Sequence, residues 1–323
     1  MNDLKFTTAG EYIDDIDEYN KPKGGTEIMR ENLISKLTKK NPKVLDKTQI
    51  AILNDKLKSN KKKILWLHDL SNDPRLQILK EKKNLDVFKK IVFVSNWQQF
   101  IFNAFLKVPY QKGVVIQNAI EPIPKHDKPN EGKLNICYFS TPHRGLEILL
   151  NVWEKIQKIP QIKDKVELNV YSSFKIYNRP ELDKDFAHLY DKANTLSNVN
   201  YYGTVSNDEI RNMLKKQHIF AYPSIYQETS CLCLLEAMSA GCLCVISNFG
   251  ALPETSSNFA WMHNYYEDTK KHEQEHFENL IKAIDEFWNE DVQTHLKEQV
   301  KFTNKFYNWN ARIKEWEKLI KSL

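Results

Sequence analysis

The stretch "YQETSCLCLLEAMSAGCLCVISNFGALPE", residues 226–254, decides the reading. Glu228 and Glu236 stand with seven mostly apolar residues between them. Just before them, "HIFAYPS" has strand character, and "IYQE" forms the loop beyond it. Thr229 or Ser230 is placed to cap a helix that runs to about Ala240. Gly241 terminates that helix. Glu236 then lies among Cys, Leu, Ala and Met, where an unpaired, fully buried carboxylate would cost several kcal/mol. It needs a partner, and a ligand bearing hydroxyls is one candidate. A carboxylate accepts from two neighbouring hydroxyls at once, as a diol requires.

Outward from this stretch, apolar runs alternate with amphipathic ones. Candidate strands are "LKFTT", "QIAIL", "KILWL", "KIVFV" and "GVVI", then "LNICYF", "VELNVY", "VNYY", "HIFAY" and "CLCVI". Helical patterns include "TEIMRENLISKLTKK", "LEILLNVWEKIQK" and "NDEIRNMLKKQ", with "FENLIKAIDEFWN" and "NARIKEWEKLIKSL" near the end. Nearly all-apolar strands alternating with helices predict parallel sheets covered on both faces. The Pro- and Lys-rich segment 121–133 reads as a linker. The expected division is a first domain over 1–125, a second over 126–305, and a helix over 306–323 that packs back toward the first.

A length of 323 residues suits two domains. No apolar run approaches the roughly 20 residues of a membrane span, and "MNDLKFTTAGEYIDD" has no signal-peptide character. A cytoplasmic location is the expectation. The net charge of +5 is uneven: residues 1–125 hold 23 Lys+Arg against 15 Asp+Glu. This basic half is either a solvated lysine surface or a face for an anionic partner, including a membrane. The aromatic stretch "NWQQFIFNAFL" within it fits a core-facing helix or one lying on a membrane. No nucleic-acid motif appears. Cys231 and Cys233 are two apart in a predicted helix, so they do not share a face as metal ligands would. The five cysteines read as buried packing residues.

In open α/β sheets, ligands sit beyond the C-terminal strand ends. Four loops of that kind carry polar or glycine residues. Gly24 and Gly25 precede a helix whose N-terminus suits phosphate. His68 follows "ILWL" directly. Arg144, one of only six arginines, opens a helix after "YFSTPH". A cation at the positive end of a helix makes sense with an anion between them. The fourth loop carries Glu228.

These residues resemble the retaining glycosyltransferases of family 4. "ETSCLCLLE" is similar to their E-x7-E motif, "GGTE" to their N-terminal glycine loop, and "VIQNAIEP" to their interdomain segment. "EAMSAGCLCVISNFGALPE" and "VNYYGTVSNDEI" resemble the motifs around the donor helix. The resemblance implies the GT-B fold: α/β, two Rossmann-like doubly wound domains facing across a cleft, here with a reduced N-terminal domain. It implies transfer of a sugar from a nucleotide-diphosphate donor, such as a UDP- or GDP-sugar, to a hydroxyl with retention of configuration. The implied acceptor is a surface polysaccharide, a lipid-linked glycan or a protein glycan. No metal or other cofactor is implied.

By the same resemblance, Glu228 bonds the donor sugar and Glu236 the ribose. A helical span of about 12 Å suits that separation. His68 sits close to the sugar. Arg144, the Gly24–Gly25 backbone and the helix start at Thr229 and Ser230 stabilise the leaving diphosphate. Glu254 lies near the nucleotide. A second base that the family carries before Arg144 is replaced by Phe139 or Ser140, so Lys175 or backbone amides must complete the clamp, or nothing does. Two competing readings stand beside this one. A degenerate GT-B domain would bind glycan or nucleotide without turnover. A metal-dependent GT-A transferase would use Asp15–Ile16–Asp17 or Asp183–Lys184–Asp185.

Overall fold

A computed structural model describes residues 24–53 and 55–323. The candidate strand "LKFTT" and the acidic pair Asp15 and Asp17 lie outside them. The described chain divides into two compact units, one of Gly25–Ala119 with Tyr307–Leu323 and one centred on Ile120–Phe306.

The first unit opens with α1 (Gly25–Lys40), which buries Met29, Leu33 and Leu37 at helical spacing. Then come β1 (Thr48–Ala51), β2 (Lys62–Leu67), α2 (Lys82–Leu85), β3 (Lys90–Phe93), α3 (Asn96–Leu106) and β4 (Gly113–Val115). The four strands form one parallel sheet in the order β1-β2-β3-β4. Helix α3 is half core-facing. It buries Gln98, Ile101, Phe102 and Leu106, yet leaves Phe100 58% and Phe105 67% exposed.

The second unit follows: β5 (Leu134–Phe139), α4 (Leu146–Ile156), β6 (Val166–Tyr171), α5 (Ala187–Thr195), β7 (Val199–Tyr201), α6 (Asn207–Leu214) and β8 (Ile219–Tyr222). It continues with α7 (Leu232–Ser239), β9 (Leu243–Ser247), α8 (Leu252–Ser256), β10 (Trp261–His263), α9 (Thr269–Glu286) and α10 (Glu290–Phe306). Six parallel strands run in the order β10-β9-β8-β5-β6-β7. Strands β8 and β9 are buried along their whole length, as a sheet covered on both faces requires. The order reverses between β5 and β8, so the loops after those two strands meet at a topological switch point.

The Pro-rich segment expected as a linker is bonded to the second unit. The Ile123 amide donates to Ser239 Oγ at 2.8 Å, and Lys128 Nζ donates to the carbonyls of Leu214 and Gln217. Its prolines bar helix and strand, so its polar groups find partners on neighbouring elements. The last helix, α11 (Trp309–Lys321), belongs to the first unit. Trp316 meets Trp66 of β2 edge-on at 5.1 Å, and Lys40 pairs with Glu317 at 2.7 Å. A parallel sheet in each unit gives the two-domain Rossmann-like α/β class expected from the sequence.

Candidate functional site

The second unit gathers its charged residues at the switch point. Strand β5 ends at Phe139, and the Tyr138 hydroxyl donates to the Thr141 carbonyl at 2.8 Å, which shapes the loop. Pro142–Arg144 is a 3₁₀ turn, and Gly145 follows with φ +122°. A Cβ on Gly145 would lie 2.3 Å from the Pro223 carbonyl oxygen, so only glycine lets this loop approach the loop after β8. In that second loop, Ser224 Oγ bonds both the amide and the carbonyl of Tyr226. The Glu228 backbone then pairs with Gly250, and the Ala251 amide donates to the Glu228 carbonyl at 2.7 Å. Gly250 has φ +63°, and a Cβ there would come within 2.6 Å of that carbonyl oxygen.

The result is a compact ion pair. Arg144 Nη1 donates to Glu228 Oε1 at 2.7 Å, and the Tyr222 hydroxyl donates to the same oxygen at 2.5 Å. The Arg144 guanidinium lies over the Tyr226 ring, 4.5 Å from its centroid. Burial alone would lower the Arg144 pKa, but the Glu228 carboxylate outweighs it and holds the guanidinium above its ordinary range. Arg144 is therefore not the uncompensated cation that the sequence suggested, because its counter-ion is one of the two motif glutamates. His143, stacked on Phe174 at 5.3 Å, is pushed down to about 4 by burial and by Arg144. It stands neutral at physiological pH.

Glu236 lies in α7 and is half-buried. Burial raises its pKa, and Arg211 of α6 opposes that, with Nη1 at 3.3 Å from Oε1. The partner that the sequence demanded is thus an arginine 25 positions back along the chain. Arg211 also donates to the Pro122 carbonyl at 3.3 Å, which ties α6 to the Pro-rich segment.

Thr229 and Ser230 do not cap the helix. α7 begins at Leu232 with Cys231 as its N-cap, and no side chain closes it. The backbone stays extended through the bridge at Glu228, so the first turn starts later. Only Glu236 of the pair is helical, and the helical rise between the two acids does not apply. Lys175 follows β6 in a 3₁₀ turn, exposed, with its amide bonded to Ser173 Oγ at 3.0 Å. Asp183 accepts from Ser173 Oγ, the Phe174 amide and the Tyr190 hydroxyl, so it braces this loop. Glu254 sits in the first turn of α8. Among the described residues, no three His, Cys, Asp or Glu side chains gather as a metal site would need.

In the first unit, His68 directly follows β2. Burial lowers its pKa to about 3, so its imidazole is neutral, and it packs 4.5 Å from Trp66. Gln98 holds this loop by donating to the Leu67 and Asp69 carbonyls while its Oε1 accepts from the Val94 amide. Gly24 is buried, and the helix expected after the glycine pair begins one residue earlier, at Gly25. Tyr222, Tyr226, Arg211 and His143 were not singled out from the sequence. Two of them flank the Glu228 loop, and neighbourhood to the motif was the available signal.

The sequence pattern of the family described as glycosyl transferases group 1 matches residues 123–304, more than half of the chain. No curated protein matches the sequence. Solved structures similar to it include a glycosyltransferase from Rickettsia africae, 16% identical, over 93% of this chain and 82% of that one, with a TM-score of 0.61. HepE from Anabaena, solved with UDP, is 16% identical over 81% of this chain and 73% of its own, with a TM-score of 0.61. TarM from S. aureus, solved with fondaparinux, alpha-GlcNAc-glycerol and UDP, is 17% identical with a TM-score of 0.59. That match covers 81% of this chain and 51% of TarM. At such identities the likeness shows a shared GT-B fold. With a family match over residues 123–304 of the second unit and a charged cluster at its switch point, the chain belongs to the group 1 glycosyl transferases.

Proposed function

We propose that the chain transfers a sugar from a nucleotide-diphosphate donor to a hydroxyl of a glycan or lipid-linked acceptor, with retention of configuration and without a metal. The observation that carries this reading is the Arg144–Glu228 pair at the switch point of a group 1 fold. The donor diphosphate takes Arg144, which keeps donors beyond the one spent on Glu228. Glu228 bonds the donor sugar and Glu236 the ribose. His68, neutral, serves the sugar as a hydrogen-bonding group, and the Gly24–Gly25 backbone serves the phosphates. Arg144 and backbone amides stabilise the leaving group where charge develops, so the chemistry makes no demand for a cation. The UDP held by HepE and TarM supports UDP-sugars as the first donors to try.

The test is a panel of UDP- and GDP-sugars with released nucleoside diphosphate as the readout, run with and without EDTA. Turnover that survives EDTA is expected. No release from any donor would leave a binding module in place of an enzyme. Loss restored only by Mn²⁺ or Mg²⁺ would overturn metal independence.

Contact with an anionic membrane is part of the same proposal. Lys80, Lys82, Lys107 and Lys112 line a cavity of about 400 Å³ in the first unit together with Leu79, Leu85, Pro109 and one acid, Asp86, 3.7 Å from Lys112. Four lysines against one acid suit acidic headgroups. Co-sedimentation with phosphatidylserine vesicles but not with phosphatidylcholine vesicles is expected, and equal behaviour toward both would remove this element.

A further inference from the structure

We infer that Tyr222, at the C-terminal end of β8, is a positioning residue for the transfer: with Arg144 it occupies one oxygen of Glu228 and aims the other at the donor sugar. The inference rests on the glycosyltransferase reading above. Tyr222 is 0% exposed, and its strand "IFAY" is otherwise apolar. A phenylalanine would fill the same volume without burying a hydroxyl, so the hydroxyl's place is explained by what it meets. It meets Glu228 Oε1, the atom that Arg144 also takes. Among the described residues no donor reaches Oε2, which is the acceptor left for a ligand.

A carboxylate held by one donor turns easily about its terminal bond, because that torsion is broad. A second donor from the strand side removes the freedom. The Tyr222 ring cannot follow such a turn, since it stacks on Phe220 at 5.4 Å and packs against Tyr138 at 5.9 Å. Burial first, and the Glu228 carboxylate second, keep the phenol protonated well beyond the ordinary tyrosine range. Tyr222 therefore acts as a permanent donor and takes no part as a base.

A double-mutant cycle tests this. Tyr222→Phe keeps the ring and its packing, which a melting curve verifies. With the donor that the panel selects, Tyr222→Phe should lower kcat about tenfold, the equivalent of one lost hydrogen bond. Its Kd for the bare nucleoside diphosphate should stay within about twofold, because the substitution acts only at the sugar end. In a Glu228→Ala background the same change should alter kcat by less than about twofold, since both oxygens are already gone. Losses that add in the double mutant would show a merely structural tyrosine and overturn the inference. So would a Tyr222→Phe variant that loses the bare nucleotide, or one that keeps full kcat. A wild-type chain that turns over no donor overturns the glycosyltransferase reading itself, and the inference with it.

Discussion

Glu228 and Glu236 look alike in the sequence and differ in the fold. Glu228 is 4% exposed and tied to Arg144 and Tyr222, whereas Glu236 is half-buried and meets Arg211 across an i to i−25 separation. Different partners imply separable roles. Glu236→Ala is expected to weaken both the bare nucleoside diphosphate and the nucleotide-sugar, since both carry the ribose diol. Glu228→Ala is expected to leave the bare nucleotide nearly intact and to lower kcat severely. Titration calorimetry beside steady-state kinetics reads both, and the reverse pattern would exchange the assignments. Removing Glu228 also strands the Arg144 charge in a half-buried place, so a stability loss of about 3–5 kcal/mol is expected for that variant alone. The pair's existence was legible from two letters with seven residues between them, but its counter-ions were not. Arg144 and Arg211 lie 84 and 25 positions away from the acids they meet, and no local pattern links them.

Among the elements, α9 and β10 bring three histidines together. His263 Nε2 lies 3.0 Å from His276 Nδ1, and the His263 and His272 rings are 5.0 Å apart. Burial lowers all three, His263 to about 4 and His276 well below its ordinary value. The groups facing them are the Pro223 and Asn264 carbonyls, with Glu273 and Glu275 beside His272. The folded values lie below the ordinary 6.5, so the unfolded chain binds more protons as acid is added. Their stabilisation is therefore complete above about pH 6.5 and is lost as pH falls toward 4, by about 1–3 kcal/mol. Melting temperatures from pH 7.5 to 4.5 should fall in the wild type and fall less steeply in His276→Leu. Equal slopes would place the acid lability elsewhere. Sequence patterns showed the apolar strands and the strongly amphipathic helices. They missed β10, a strand of three residues, and α10, whose buried face includes Gln299 and Thr303 beside Val292 and Leu296. Gln299 reaches the Met238 and Cys242 carbonyls, a use for a polar residue that composition cannot announce.

At the scale of the whole molecule, α11 closes the first unit from the far end of the chain. Trp316 and Trp66 are each 1% exposed, and α11 lies against α1. Deleting residues 307–323 is expected to destabilise the first unit by about 5 kcal/mol or more, given the large side chains uncovered. The second unit should melt as before, and scanning calorimetry distinguishes the two. An unchanged trace would show that α11 contributes nothing to the first unit. The sequence by itself determined the α/β class, the apolar runs that became β5, β8 and β9, the glycine pair at the start of α1 and the two motif glutamates. Each of these is local: a strand buried on both faces must be apolar along its length, and a tight approach must use glycine. Only the tertiary structure decided the strand order, the attachment of the Pro-rich segment to the second unit, and the joining of Arg144, Tyr222 and Glu228 at one oxygen. Those depend on which strand ends become neighbours, and that is settled by packing among residues far apart in the chain.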